Sequence, residues 1–306
     1  MDKDKLSSPA PTFVPGRIGV VGLGLMGGSF AKAEHVGGHE VYAWNRTRST
    51  LEMAMIETVD GELDDAAIGS CELLILAGYP QSSMDWLNEK APLISADAIV
   101  IDTNGIKRAV CKRCFAIADA RPFTFIGCHP MAGTQYSGFA HARANMFHGA
   151  PMVVVPPAHM DDIARANVLL RLKELLSPCG FGSWTLTSAE EHDRMIAYTS
   201  QLAHVVSNAY VKSPQALRHK GFSAGSYKDL TRVARLNASM WTELFLDNAD
   251  NLSEELGLII GHLKEYKEAI DACDAARLHD LLAEGDRLKK EAEAQTPVSE
   301  ERNPGK

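Results

Sequence analysis

No run in this 306-residue chain approaches the roughly 20 consecutive apolar residues needed to cross a bilayer, so a membrane role is not expected. The first fifteen residues, MDKDKLSSPAPTFVP, lack the apolar core of a secretory signal and read as a disordered leader. Together these point to a cytoplasmic protein. Positive charge is not in excess either: 31 Lys and Arg stand against 39 Asp and Glu, a formal net charge of −8. That argues against a nucleic-acid groove or an anionic membrane surface as a global feature. A local basic pocket for an acidic small molecule stays open. Six cysteines in a chain of this length make no disulfide framework. Cys111 and Cys114 form a C-x-x-C, but no second pair completes a zinc site, and no metal is expected. The flanking KRAVCKRCFAIADA reads as a helix with both thiols near its surface, so chance spacing is the better account.

What is present is an alternation of short apolar runs with helix-like stretches. RIGVV, HEVYAWN, CELLILAG, AIVIDT, FTFIGCH, APMVVVPP and FGSWTLT read as strands, which implies βαβ units and a parallel sheet. From Ser188 the texture changes. SAEE is a capping box, Ser188 with Glu191, opening a long helix to about Val211. After the loop KGFSAGSYKD, helical periodicity runs from Leu230 to about Ala292, without strands. The expected division is a leader over 1–15, a Rossmann-like dinucleotide-binding α/β domain over 16–187, an all-α domain over 188–293 and a polar tail over 294–306.

RIGVVGLGLMGGSF places Gly22, Gly24 and Gly27 in a G-x-G-x-x-G directly after a strand and at the start of a helix. Alone the motif is weak evidence, but in this context each glycine has a task. Gly22 permits the tight turn, Gly24 lets a pyrophosphate approach the backbone, and Gly27 allows close packing of helix on strand. With Leu23, Leu25 and Met26 they form the expected cofactor loop, closed by the positive end of a helix dipole. At the end of the second strand an acidic residue would bind the ribose of NAD. Asn45, Arg46, Thr47 and Arg48 stand there instead, which favours the 2′-phosphate of NADP, with NAD as the alternative.

Further on come IDTNGIKRAV, with Asp102, Asn104, Gly105 and Lys107 at a strand end, and GCHPMAGTQYSGFAHARANMFHGAPMVVVP. With EEHD and YKDLTRVARLNASMW, these stretches make the chain from Arg17 to about Ala292 resemble the prephenate/arogenate dehydrogenase family of tyrosine biosynthesis. The resemblance implies an oxidative decarboxylation of prephenate to 4-hydroxyphenylpyruvate, or of arogenate to tyrosine, with NADP or NAD as hydride acceptor. It also implies a helical homodimer, consistent with the many apolar residues of the C-terminal half. His129 matches the family's catalytic histidine, an imidazole suited to accept the ring-hydroxyl proton near neutral pH. Arg232 matches an arginine that pairs with a substrate carboxylate, and His204 a histidine of the same site. Thr134 and Ser137 lie in the loop expected over the substrate, and Gln201 lies one helical turn before His204. Asn104 is expected beside the cofactor.

Two positions depart from the family. Many members read D-x-G-S-x-K where this chain reads Asp102-Thr103-Asn104-Gly105-Ile106-Lys107, so the serine that would bridge histidine, hydroxyl and nicotinamide is Gly105. Gln135 stands where many members carry a glutamate, leaving a neutral amide in place of an ionised gate toward Arg232. His192 in EEHD reads only as a helix-start residue tied to Asp193 or to the sheet domain. A 3-hydroxyacid dehydrogenase shares the GLGLMG start but relies on a lysine in the first long C-terminal helix, where this chain has none before Lys212. A dinucleotide-sensing protein would keep the glycine turn and have no need of His129, His204 and Arg232 together. Between the two cyclohexadienols, the basic segment SPQALRHKGFSAG offers no carboxylate for an amine and favours prephenate.

Overall fold

The computed structural model describes residues 13–134 and 136–295. Most of the leader and the tail, and Gln135, lie outside the described residues. In chain order the elements are β1 (Arg17–Val21), α1 (Leu25–Val36), β2 (Glu40–Trp44), α2 (Arg48–Glu57), β3 (Gly61–Glu62), α3 (Asp65–Ile68), β4 (Leu73–Leu76), α4 (Pro80–Lys90), β5 (Ile99–Asp102), α5 (Arg108–Asp119) and β6 (Thr124–Pro130). There follow β7 (Pro151–Val155), α6 (Asp162–Leu175), β8 (Ser183–Leu186), α7 (Ala189–Ile196), α8 (Ala203–Tyr210), α9 (Gly225–Thr231), α10 (Ala238–Leu246), α11 (Ala249–Asp271) and α12 (Ala275–Gln295).

The strands form one eight-stranded sheet in the order β3-β2-β1-β4-β5-β6-β7-β8. The chain leaves β1 toward β2 on one side and returns to β4 on the other, so a crevice opens beyond the carboxyl ends of β1 and β4. That switch point is where open α/β sheets bind ligands. Strands β4 and β5 are buried along their whole length, as LLIL and IVID require of strands covered on both faces. Ile18, Val20, Ile75, Ile101 and Ile126 pack on one face with Phe30 of α1 and Leu172 of α6. Leu74, Leu76, Val100 and Phe125 pack on the other with Leu87 of α4 and Val110 of α5.

Two expectations change. The sheet is not parallel throughout: β6 and β7 pair antiparallel, with His129 opposite Val153. Between them the described residues fold without a long helix, having only a short 3-10 turn at Phe139–His141, so no crossover brings β7 round parallel. Secondly, Cys111 and Cys114 are buried, not near the surface, because both lie on the face of α5 that packs against the sheet. Burial pushes both thiols above their ordinary value.

One compact unit extends to Leu252 and a second begins at Ser253. In the first, Ser188 Oγ accepts the Glu191 N–H to start α7. A six-residue π-helical stretch, Ala197–Leu202, separates α7 from α8. In the second unit the remainder of α11 and α12 are tied by the Tyr266 hydroxyl, which donates to the Leu281 carbonyl, and by the Arg277–Glu265 ion pair. Leu258, Ile260, Leu263 and Leu282 are exposed there. Among the described residues no helix is long and apolar enough to cross a membrane, and no cluster of His, Cys, Asp or Glu could hold a metal.

Candidate active site

The turn after β1 has the geometry its glycines predict. Gly22 has φ +95°, and a Cβ there would stand 3.0 Å from the Ala77 carbonyl oxygen. A Cβ on Gly27 would fall 1.8 Å from the Gly22 carbonyl oxygen. Gly24 differs, since a Cβ there meets no atom within 4 Å. Its backbone faces open space at the N-terminus of α1, where no side chain caps the first N–H groups. That is the cradle a pyrophosphate needs. Leu23 is buried, while Leu25 and Met26 are half-buried. The Leu23 N–H donates to Asn45 Oδ1 at 2.9 Å, and Asn45 Nδ2 donates to the Thr47 carbonyl at 3.0 Å. Asn45 therefore braces the turn against β2. Arg48 is held by Glu62 at 2.5 Å and by Glu52 at 3.2 Å. Arg46 is exposed and has no ion-pair partner among the described residues, and the Thr47 side chain does not cap α2.

The loop after β5 is clamped by a fully buried ion pair. Lys107 Nζ donates to Asp102 Oδ2 and to the Asn104 carbonyl, each at 2.7 Å. Asp102 also accepts the N–H groups of Asn104 and Cys128, each at 3.0 Å, so it fixes both this loop and the strand carrying His129. With both charges hydrogen-bonded, the desolvation cost of the pair is offset, whereas removing one partner would strand the other. Thr103 Oγ1 lies 3.4 Å from the Leu76 carbonyl. Asn104 is 6% exposed, and its Nδ2 is buried with no hydrogen-bond partner among the described residues. A ligand oxygen or a water reaching this loop would supply the missing acceptor.

His129, near the end of β6, is half-buried. Its Nδ1 lies 2.9 Å from His192 Nε2, and His192 Nδ1 lies 2.7 Å from Asp193 Oδ1. A Cβ on Gly105 would sit 3.9 Å from His129 Nε2, so that nitrogen borders the space a family serine would occupy. Burial, then the neighbouring His192 and the Lys107 cation, holds the His129 imidazolium form well below its ordinary range. Burial also lowers His192, against the pull of Asp193. Asp193 is fully buried yet ionised: hydrogen bonds from His192 and from the Arg108 and Lys107 N–H groups outweigh burial and lower its carboxyl.

His204 and Arg232 line a second pocket of about 360 Å³ with Thr199, Ser200 and Asp229. His204 Nδ1 donates to the Val233 carbonyl at 3.0 Å, and its ring packs on Trp241 with centroids 4.1 Å apart. Its Nε2 is therefore free to accept a hydrogen bond. Burial and then the Arg232 cation hold His204 below its ordinary value, despite the Val233 bond. His129 does not line this pocket. Gln201 does not face it either: its Nε2 donates to the Leu244 carbonyl and its Oε1 accepts from Asn248 Nδ2. The π-helical stretch around Gln201 breaks the α-helical spacing that would put it on the His204 face. Thr134 and Ser137 are exposed, with the Thr134 hydroxyl accepting the Tyr136 N–H. Gln135 lies outside the described residues.

The tie of His192 to Asp193 and of Asp193 to the sheet domain is as the sequence suggests, but the contact of His192 with His129, and the Arg108 and Asn248 contacts of Asp193, were not expected. Arg108 links Asp193 to Asp250, and Asn248 donates to the Asp193 carbonyl oxygen. One signal was available, a His-Asp pair directly after a capping box at the start of a strongly amphipathic helix. Nothing in it says what the pair would meet.

Two family models match the chain. The nucleotide-binding domain of prephenate dehydrogenase matches residues 30–180, and its dimerization domain residues 188–284. The chain belongs to the prephenate dehydrogenase family. It is therefore an oxidoreductase that uses a nicotinamide dinucleotide. A cyclohexadienyl dehydrogenase from Zymomonas mobilis is 28% identical over 89% of this chain and 94% of its own. An arogenate dehydrogenase structure from Synechocystis is 29% identical, with a TM-score of 0.73 over 90% of this chain and 99% of that one. A prephenate dehydrogenase structure from A. aeolicus, in complex with hydroxyphenyl propionate and NAD+, is 25% identical. It has a TM-score of 0.76, over 90% of this chain and 98% of that one.

Proposed function

We propose that this prephenate dehydrogenase family member converts prephenate to 4-hydroxyphenylpyruvate with NADP as the hydride acceptor, working as a cytoplasmic homodimer. One observation carries the reading: His129 stands near the carboxyl end of β6 with Nε2 beside the open space at Gly105. The Gly22 turn and the Asn104 loop leave the same end of the sheet. There Nε2 takes the proton of the ring hydroxyl while the hydrogen on the same carbon departs as hydride. The ring carboxylate leaves as CO2, its bonding pair completes the aromatic ring, and the phenolate oxygen so formed takes the proton back to give the phenol. A bound nicotinamide supplies the hydride-accepting carbon. Gly22, Gly24 and the α1 N-terminus hold the pyrophosphate, and the unpartnered Asn104 amide donates to a cofactor or substrate oxygen. Arg232 and His204 hold a substrate carboxylate and a polar oxygen respectively. Arg46 and the free end of α2 favour NADP, and no carboxylate stands among residues 45–48 to bind the NAD ribose. The exposed apolar residues of α11 and α12 support the dimer.

A second reading has its own support. Asp229 shares the pocket of Arg232 and His204 and has no ion-pair partner among the described residues. A carboxylate there suits the ammonium of arogenate, the feature that the basic segment 213–225 lacks. A two-by-two comparison of initial rates, prephenate and arogenate each with NADP and NAD, decides between them. Prephenate with NADP is expected to be fastest, with a rate that collapses in His129→Ala. Faster turnover of arogenate reverses the substrate assignment, and cofactor binding without turnover of either sinks the enzyme reading.

A further inference from the structure

The hydrogen atoms along His129, His192 and Asp193 are fixed by what each atom can do. An ionised carboxylate only accepts, so His192 Nδ1 carries a hydrogen and donates to Asp193 Oδ1 at 2.7 Å. In a neutral His192, Nε2 is then the bare nitrogen. The 2.9 Å contact leaves one arrangement, with His129 Nδ1–H donating to His192 Nε2. His129 Nε2 keeps its lone pair, directed to the space beside Gly105.

We infer that His192 and Asp193 are positioning residues that hold His129 in its Nδ1–H tautomer, and that the proton taken from the substrate hydroxyl comes to rest on His192. The inference rests on the dehydrogenase reading. As the substrate O–H bond breaks, an N–H bond forms at His129 Nε2, and the Nδ1 proton passes to His192 Nε2. His129 is then neutral again, and the imidazolium on His192 faces the Asp193 carboxylate. As the ring carboxylate leaves and the ring oxygen becomes a phenolate, the proton returns by the same path to that oxygen, which gives the neutral phenol and restores the starting tautomer.

The surrounding charges favour His192 as the resting place. The Lys107 ammonium, paired with Asp102, disfavours a cation on either ring. Only His192 touches a carboxylate. Asp193 is held in turn by the Lys107 and Arg108 N–H groups, and Arg108 is neutralised by Asp250. Asp247, near the end of α10, adds negative charge facing Asp193.

The test combines nitrogen-15 NMR of the histidine rings in the full chain with kinetics of Asp193→Asn and His192→Gln. Wild type above neutral pH is expected to show His129 protonated on Nδ1 alone. In D193N the new amide can donate to His192 Nδ1, which reverses both rings and puts a hydrogen on His129 Nε2. Its kcat is expected to fall about 10³-fold or more, with KM changed by less than about threefold. In H192Q the amide oxygen still accepts the His129 Nδ1–H but cannot hold the proton. The tautomer is expected to persist, with kcat down about tenfold to a hundredfold and the acid limb of its pH profile moved lower. A His129 Nε2–H in the wild type, or unaltered turnover and pH profiles in both variants, overturns the inference. Absence of wild-type turnover on either cyclohexadienol sinks the dehydrogenase reading instead, while the nitrogen-15 shifts still decide the tautomer.

Discussion

His129 and His192, 63 residues apart in sequence, meet edge to face with ring centroids 5.1 Å apart and Nδ1 to Nε2 at 2.9 Å. The contact occupies one nitrogen of His129 and leaves the other against Gly105. The first prediction concerns that position. A Cβ on Gly105 would meet His129 and the Leu244 side chain only at 3.9 Å, ordinary contact distance. Gly105→Ser is therefore expected to fold with stability within about 0.5 kcal/mol of wild type. Its hydroxyl beside Nε2 is expected to raise kcat/KM about three- to tenfold, the worth of one hydrogen bond. Initial-rate kinetics and urea melts check both, and a fall in kcat/KM refutes the assignment of that space to the substrate hydroxyl.

Two glycines three positions apart, Gly24 and Gly27, should separate cleanly on substitution. Gly24→Ala adds a methyl group where no atom lies within 4 Å, so thermal unfolding of the free protein is expected to stay put. Dinucleotide affinity, read by fluorescence titration, is expected to drop about tenfold or more as the methyl blocks the pyrophosphate. Gly27→Ala puts a methyl 1.8 Å from the Gly22 carbonyl oxygen, so the fold itself is expected to lose about 2 kcal/mol or more.

Arg46, and not Arg48, which Glu52 and Glu62 already engage, is expected to govern cofactor choice. Arg46→Asp is expected to raise the KM for NADP about tenfold or more and to lower that for NAD. Arg48→Ala is expected to leave their ratio within about threefold. Equal effects of the two substitutions would place the 2′-phosphate elsewhere.

Acid should destabilise the fold through the buried histidines. Burial holds His129 and His192 below the ordinary value of 6.5 in the folded state. The unfolded chain then binds protons that the folded one refuses, so their contribution is complete above that value and is lost as pH falls below it. The unfolding free energy of the wild type is expected to decline between about pH 6.5 and 5, and to decline less in His129→Gln. Urea melts across that range give the slope, and the opposite slope refutes the account.

In the second pocket, Arg232→Gln is expected to raise the substrate KM about tenfold to a hundredfold with a smaller effect on kcat, since it removes a charge-assisted hydrogen bond. Asp229→Asn is expected to weaken arogenate more than prephenate. Equal losses on both substrates would exclude Asp229 from contact with the side-chain ammonium.

The sequence by itself determined the cofactor turn, because a strand followed by Gly22, Gly24 and Gly27 admits few backbone paths. It also determined His129 at a strand end and the start of α7 at Ser188, since a buried strand and a helix cap are local matters. The family resemblance located Arg232 and His204, which the fold brings into one pocket. Only the tertiary structure decided that His192 and Asp193 stand behind His129, and that Gln201 braces Asn248 and does not face the pocket. It likewise decided the antiparallel pairing of β7 and the burial of Cys111 and Cys114. Periodicity reports which residues share a face of one element. A hydrogen bond between elements depends on tenths of an ångström set by the packing of the sheet, α5 and α7. That packing turns a helix-start histidine into the partner of another histidine 63 residues away.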